Sequence, residues 1–88
     1  MKSIRTTKKF DKSYKKGIGR NPKLRENYIA RVSMFREGER GYPLEDHPLT
    51  GKLAGKRAFS VANDIRVIYE EQEDALVFLD IGSHNQVY

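Results

Sequence analysis

Apolar positions recur at helical spacing in the first half of the chain and at strand spacing in the second. Phe10, Tyr14 and Ile18 stand at i, i+4 and i+8, a single stripe among lysines. Thr7 precedes that stripe as a helix cap, and Gly17 and Gly19 end it. Asn21-Pro22 opens a second helix, with Asn at the cap and Pro at the first helical position. Leu24, Tyr28, Val32 and Phe35 form its stripe, Ile29 lies beside it, and Gly38 closes it. The β-branched run Lys2–Thr7 predicts a short strand ahead of both helices.

Past residue 38 the period is lost. Glycines at 38, 41, 51 and 55 and prolines at 43 and 48 predict a long loop, anchored by Tyr42, Leu44, Leu49 and Leu53. Alternation then returns in "RAFSVA", with Phe59 and Val61 on one face. "IRVIYE" follows, with Ile65, Val67 and Tyr69 on one face and Ile68 on the other. In "ALVFLDIG", Val77, Leu79 and Ile81 share a face opposite Leu76 and Phe78. "EQED" is the polar turn between the last two, and the terminal "QVY" predicts a final short strand. The fold class expected is α+β in the order β-α-α-β-β-β, a helix hairpin on one face of a twisted, mostly antiparallel sheet. Residues 1–88 form one domain.

Charge divides the chain in the same place. Residues 1–40 carry a balance of +9 and residues 41–88 one of −4. A basic helical half suits a polyanion, although lysine-rich helices are also simply well solvated. No cysteine is present, which removes disulfides, thiolate nucleophiles and cysteine metal sites. Two histidines 37 positions apart do not suggest a structural zinc. No phosphate-cradling glycine motif is found. No apolar run approaches the ~20 residues needed to cross a membrane. The expectation is a cytoplasmic protein with no membrane association.

The chemistry left is a set of polar residues at the ends of the C-terminal elements: His47, Arg57, Asp64, Arg66, His84 and Tyr88. Each also has a plain structural reading. His47 before Pro48 and Asp64 after Asn63 are common turn residues, and the arginines have acidic neighbours to pair with.

Three segments, "DHPLTGKLAGKR", "NDIRVIYE" and "FLDIGSHNQVY", resemble the successive signatures of the RelE/ParE toxin superfamily, nearest its YafQ-like branch. The pattern H-x-L-x-G-x-x-x-G-x-R, then D-x-R-V-I-Y, then I-G-x-H-x-x-x-Y runs in order over residues 46–88. The resemblance implies a type II toxin–antitoxin toxin that is a metal-independent endoribonuclease, cutting mRNA in the ribosomal A site without cofactors. It implies a cognate antitoxin in a hetero-oligomer, with the ribosome and mRNA as further partners. His47, Asp64 and His84 then match acid–base positions. Arg57, Arg66, Lys52, Lys56 and Tyr88 match RNA- or phosphate-contacting ones. RNA cleavage by 2′-OH attack needs a base, an acid and cations on the phosphorane, which histidines and arginines supply. One position departs: Ser60 stands where YafQ-like enzymes often carry another histidine, and serine is a poor proton shuttle. Relatives of the same fold acting on DNA gyrase, or a module that only binds antitoxin, are the alternatives.

Overall fold

The computed structural model describes residues 2–88. The elements run β1 (Ser3–Thr6), α1 (Lys8–Lys16), a 3-10 turn (Ile18–Arg20), α2 (Pro22–Arg36), β2 (His47–Pro48), a 3-10 turn (Gly51–Leu53), β3 (Arg57–Ser60), β4 (Ile65–Glu71), β5 (Ala75–Ser83) and α3 (His84–Val87). Both helix starts follow from side-chain caps. Thr7 Oγ1 accepts from the Phe10 N–H at 3.1 Å, and Asn21 Oδ1 accepts from the Leu24 N–H at 3.1 Å. The Thr7 hydroxyl also donates to the Leu79 carbonyl at 3.0 Å, tying α1 to the sheet.

The sheet has the order β1-β5-β4-β3-β2. Only β1 runs parallel to its neighbour, β5; the other pairs are antiparallel. Phe10 and Ile18 meet Phe59, Val61, Val67, Tyr69, Phe78 and Ile81 in one core, and α2 contributes Phe35. Phe35 lies 4.7 Å from Phe59 and 4.9 Å from Tyr69 between ring centroids, spacings that favour aromatic pairs.

Four expectations change. Strict alternation in β5 fails because Ile68 pairs with Asp80 while Tyr69 pairs with Phe78, so a bulge lies at Leu79. It brings Leu76, Phe78 and Ile81 to the core together and turns Leu79 away. The terminal "QVY" is not a strand: residues 84–87 are α3, and Gly82 gives the space for it to fold back. The long loop contains two strand residues, His47 and Pro48. Among its expected anchors Leu44 is fully buried, but Tyr42 is 89% exposed and anchors nothing.

Candidate active site

The register decides which of the polar residues meet. Arg66 pairs with Ser60 on one side and with Gly82 on the other, and Ile65 pairs with Ser83. The turn bearing Asp64 therefore abuts the end of β5, and the His84 N–H donates to the Asp64 carbonyl at 3.1 Å. His84 opens α3 and Tyr88 follows its last residue, one helical turn on, and their rings meet edge to face at 4.3 Å. Tyr88 continues into an open cleft of about 430 Å³, lined also by His47, Pro48, Leu49, Thr50, Lys52 and Leu53. Burial pushes the Tyr88 phenol up, and the positive charge of Arg66 opposes it. The cleft thus has His47 and Lys52 on one wall and Tyr88, backed by His84, on the other.

His47 is exposed, and its Nδ1 lies 2.9 Å from the Glu45 carbonyl. A carbonyl only accepts, so the proton sits on Nδ1 and neutral His47 keeps its Nε2 lone pair free. Arg66 folds one guanidinium nitrogen, NH1, onto the turn before it. NH1 donates to the Asn63 carbonyl at 3.0 Å and to the Ser60 hydroxyl at 3.4 Å. Ser60 is 7% exposed, and its hydroxyl donates to the Ala62 carbonyl at 3.1 Å. Its place is that of a support for Arg66.

Two residues stand elsewhere. Arg57 pairs in register with Tyr69, on the core side of the sheet, whereas His47 pairs with Ala58 on the opposite side. The Arg57 guanidinium grips Asp46 at 2.6–2.7 Å. Lys56 borders a neighbouring groove with Ile68 and Val87, and its Nζ stands 4.0 Å from Glu70. Sequence reasoning missed Asp46, Tyr69 and Gln86, which touch no part of the cleft themselves. Asp46 has one visible signal, its place directly before His47.

Comparison with known proteins decides the family. A family profile described as "Bacterial toxin of type II toxin-antitoxin system, YafQ" matches residues 2–88. This chain belongs to the YafQ toxin family. The YafQ crystal structure from E. coli matches with a TM-score of 0.82 at 21% identity, covering 100% of this chain and 99% of that one. A metal-bound toxin from Helicobacter pylori matches with a TM-score of 0.81 at 28% identity and full coverage of both chains. A third structure, the E. coli DinJ–YafQ complex, matches with a TM-score of 0.81 at 22% identity, covering 100% and 99%. No curated protein sequence matches significantly. Among the described residues no three of His, Cys, Asp and Glu gather as a metal site, and no helix is long and apolar enough to cross a membrane.

Proposed function

We propose that this YafQ-family toxin is an endoribonuclease that cleaves mRNA on the ribosome by attack of a 2′-OH on the adjacent phosphate. The observation that carries the reading is the cleft itself, lined by His47 and Tyr88, with the His84 ring packed against that of Tyr88. His47 takes the 2′-OH proton. His84 protonates the leaving 5′-oxygen, which balances the step and restores the pair when water supplies and takes up protons. Arg66 uses its unengaged nitrogens on the phosphorane, with NH1 held by its own turn. Tyr88 stacks on a base, and Lys52 adds positive charge along the RNA. Asp64 borders His84 through the backbone bond, which holds His84 at the start of α3. No step calls for a metal or cofactor.

The lysines of α1, chiefly Lys8, Lys12, Lys15 and Lys16, are exposed and suit ribosomal RNA. Arg57 and Lys56 act on the protein side, through Asp46 and Glu70. Because the related E. coli toxin is found in complex with DinJ, a cognate antitoxin is the natural partner. It has to cover the cleft or the basic helices to silence the toxin.

Translation-coupled cleavage mapped by primer extension tests this. Wild type cuts, and His47→Ala and His84→Ala lose about 10²–10⁴-fold, the range of general acid–base catalysis. Equal cutting by both variants removes the assignment. Ser60 in place of a histidine favours a second reading, a same-fold toxin acting on DNA gyrase. Inhibition of gyrase supercoiling without RNA cleavage would select it.

A further inference from the structure

Asp46 is the most fully enclosed charge near the cleft. Its side chain is 0% exposed, whereas that of its partner Arg57 is 36% exposed. Arg57 donates to Oδ1 from Nε at 2.7 Å and approaches the same oxygen through NH2 at 2.6 Å. The Tyr69 hydroxyl donates to Oδ2. The Asp46 N–H donates to the Arg40 carbonyl at 2.8 Å. A buried carboxylate held from both oxygens and its own backbone has no freedom left. Such a group is costly to bury and costly to uncouple, so its place beside His47 calls for a reason.

The reason lies one residue back. Glu45 has φ of +49°, a left-handed backbone that a side-chain-bearing residue rarely adopts without outside support. In that conformation its carbonyl accepts from His47 Nδ1 at 2.9 Å. Asp46 sits between the strained residue and the histidine, and it is the one pinned to the core.

We propose that Asp46 is a positioning residue for His47. Arg57 and Tyr69 clamp its carboxylate, the clamp holds Glu45 in its left-handed turn, and the Glu45 carbonyl keeps the proton on Nδ1 so that Nε2 faces the cleft. Arg57 belongs to this device and contacts no phosphate. The inference rests on the reading of His47 as the base.

The test is the tautomer of His47 in the full-length toxin, read from imidazole ¹⁵N shifts near pH 8.5, about two units above the ordinary histidine pKa of about 6.5. Wild type shows the Nδ1–H form. Asp46→Asn and Tyr69→Phe shift the signal toward Nε2–H. In cleavage assays kcat falls about tenfold in Asp46→Asn while KM stays within about twofold, as for a misplaced base. Arg57→Lys restores part of what Arg57→Gln loses. If Asp46→Asn does not fold, Tyr69→Phe, which removes only one hydroxyl, carries the same comparison. An unchanged tautomer in the folded variants overturns the proposal. So does a rise in KM alone for Arg57→Gln, which would make that arginine an RNA contact. Failure of the underlying reading looks different: His47→Ala would then cleave like wild type, whichever tautomer the wild-type His47 shows.

Discussion

The His84 amide is held by the Asp64 carbonyl at 3.1 Å, so two catalytic candidates twenty residues apart in sequence share a backbone hydrogen bond. That bond places the first residue of α3, and Gln86 sets the rest. Gln86 Oε1 accepts from the Ser83 N–H at 2.8 Å, which folds α3 back over Gly82.

Gly82 is therefore a sensitive position. A Cβ there would sit 2.7 Å from Gln86 Oε1 and 3.3 Å from both Gln86 Cβ and Val87 Cγ1. The glutamine end has to move and gives up the Ser83 bond. Gly82→Ala is expected to loosen α3 and lower cleavage about tenfold by misplacing His84 and Tyr88. The loss in global stability should stay near ~1 kcal/mol, one hydrogen bond's worth. Faster amide hydrogen exchange confined to residues 84–88 checks it; exchange accelerated throughout the sheet contradicts it.

Ser60 and Arg66 separate support from contact. Ser60→Ala removes one of the acceptors of Arg66 NH1 but leaves the Asn63 carbonyl at 3.0 Å. Cleavage should fall only about threefold, and stability by about 1 kcal/mol. Arg66→Gln removes the cation itself and should cost about 10²-fold or more in kcat, as for loss of a charge stabiliser. Single-turnover cleavage of both variants decides the order; equal losses would mean that Ser60 does more than hold Arg66.

Much of this was legible from residue patterns. Thr7, Asn21 and Pro22 announce both helices because capping is local chemistry. Of the motif residues, His47 and Tyr88 line one cleft, and His84 meets it only through its ring contact with Tyr88. The bulge at Leu79 was hidden, because alternation of Leu76 to Ile81 reads equally well unbroken. The terminal helix was hidden too: four residues carry no period, and α3 depends on Gly82 leaving room for Gln86. Arg57 stands at a motif position expected to contact phosphate, and a motif gives a position and not a partner. Its partner Asp46 lies eleven residues away and becomes visible only when β2 pairs with β3.

Alkaline pH should unfold the protein through its tyrosines. Burial pushes Tyr28 up to about 12 from 10.0. Burial first, and then the hydrogen bond to Asp46, pushes Tyr69 up as well. A phenol with a raised folded-state pKa stabilises the fold fully below its unfolded value near 10, and that stability is lost as pH rises beyond it. Urea midpoints should thus be level from about pH 8 to 9.5 and fall steeply from about pH 10 to 12. Tyr69→Phe should fall less steeply, since one of the raised phenols is gone. A slope identical to wild type would assign the loss to other groups.

Phe35 connects the core to the loop that carries His47. It is 1% exposed and the one buried residue of α2. Its ring touches Phe59, Tyr69 and Phe78, and the Arg40 guanidinium lies 3.9 Å from its centroid. Arg40 NH1 also donates to the Phe35 carbonyl at 2.9 Å, while the Arg40 carbonyl accepts from Asp46. Phe35→Ala empties a large volume under three rings and should cost about 3–5 kcal/mol. Phe35→Leu keeps most of the volume, loses the ring face beneath Arg40, and should cost about 1–2 kcal/mol. In both, the urea midpoint should move with little change in slope. The leucine variant should also lower cleavage, because Arg40 is the backbone anchor of Asp46 and so of the loop presenting His47. If Phe35→Leu loses stability but cuts RNA at the wild-type rate when fully folded, the aromatic core and the loop are uncoupled, and Arg40 holds its place without the ring.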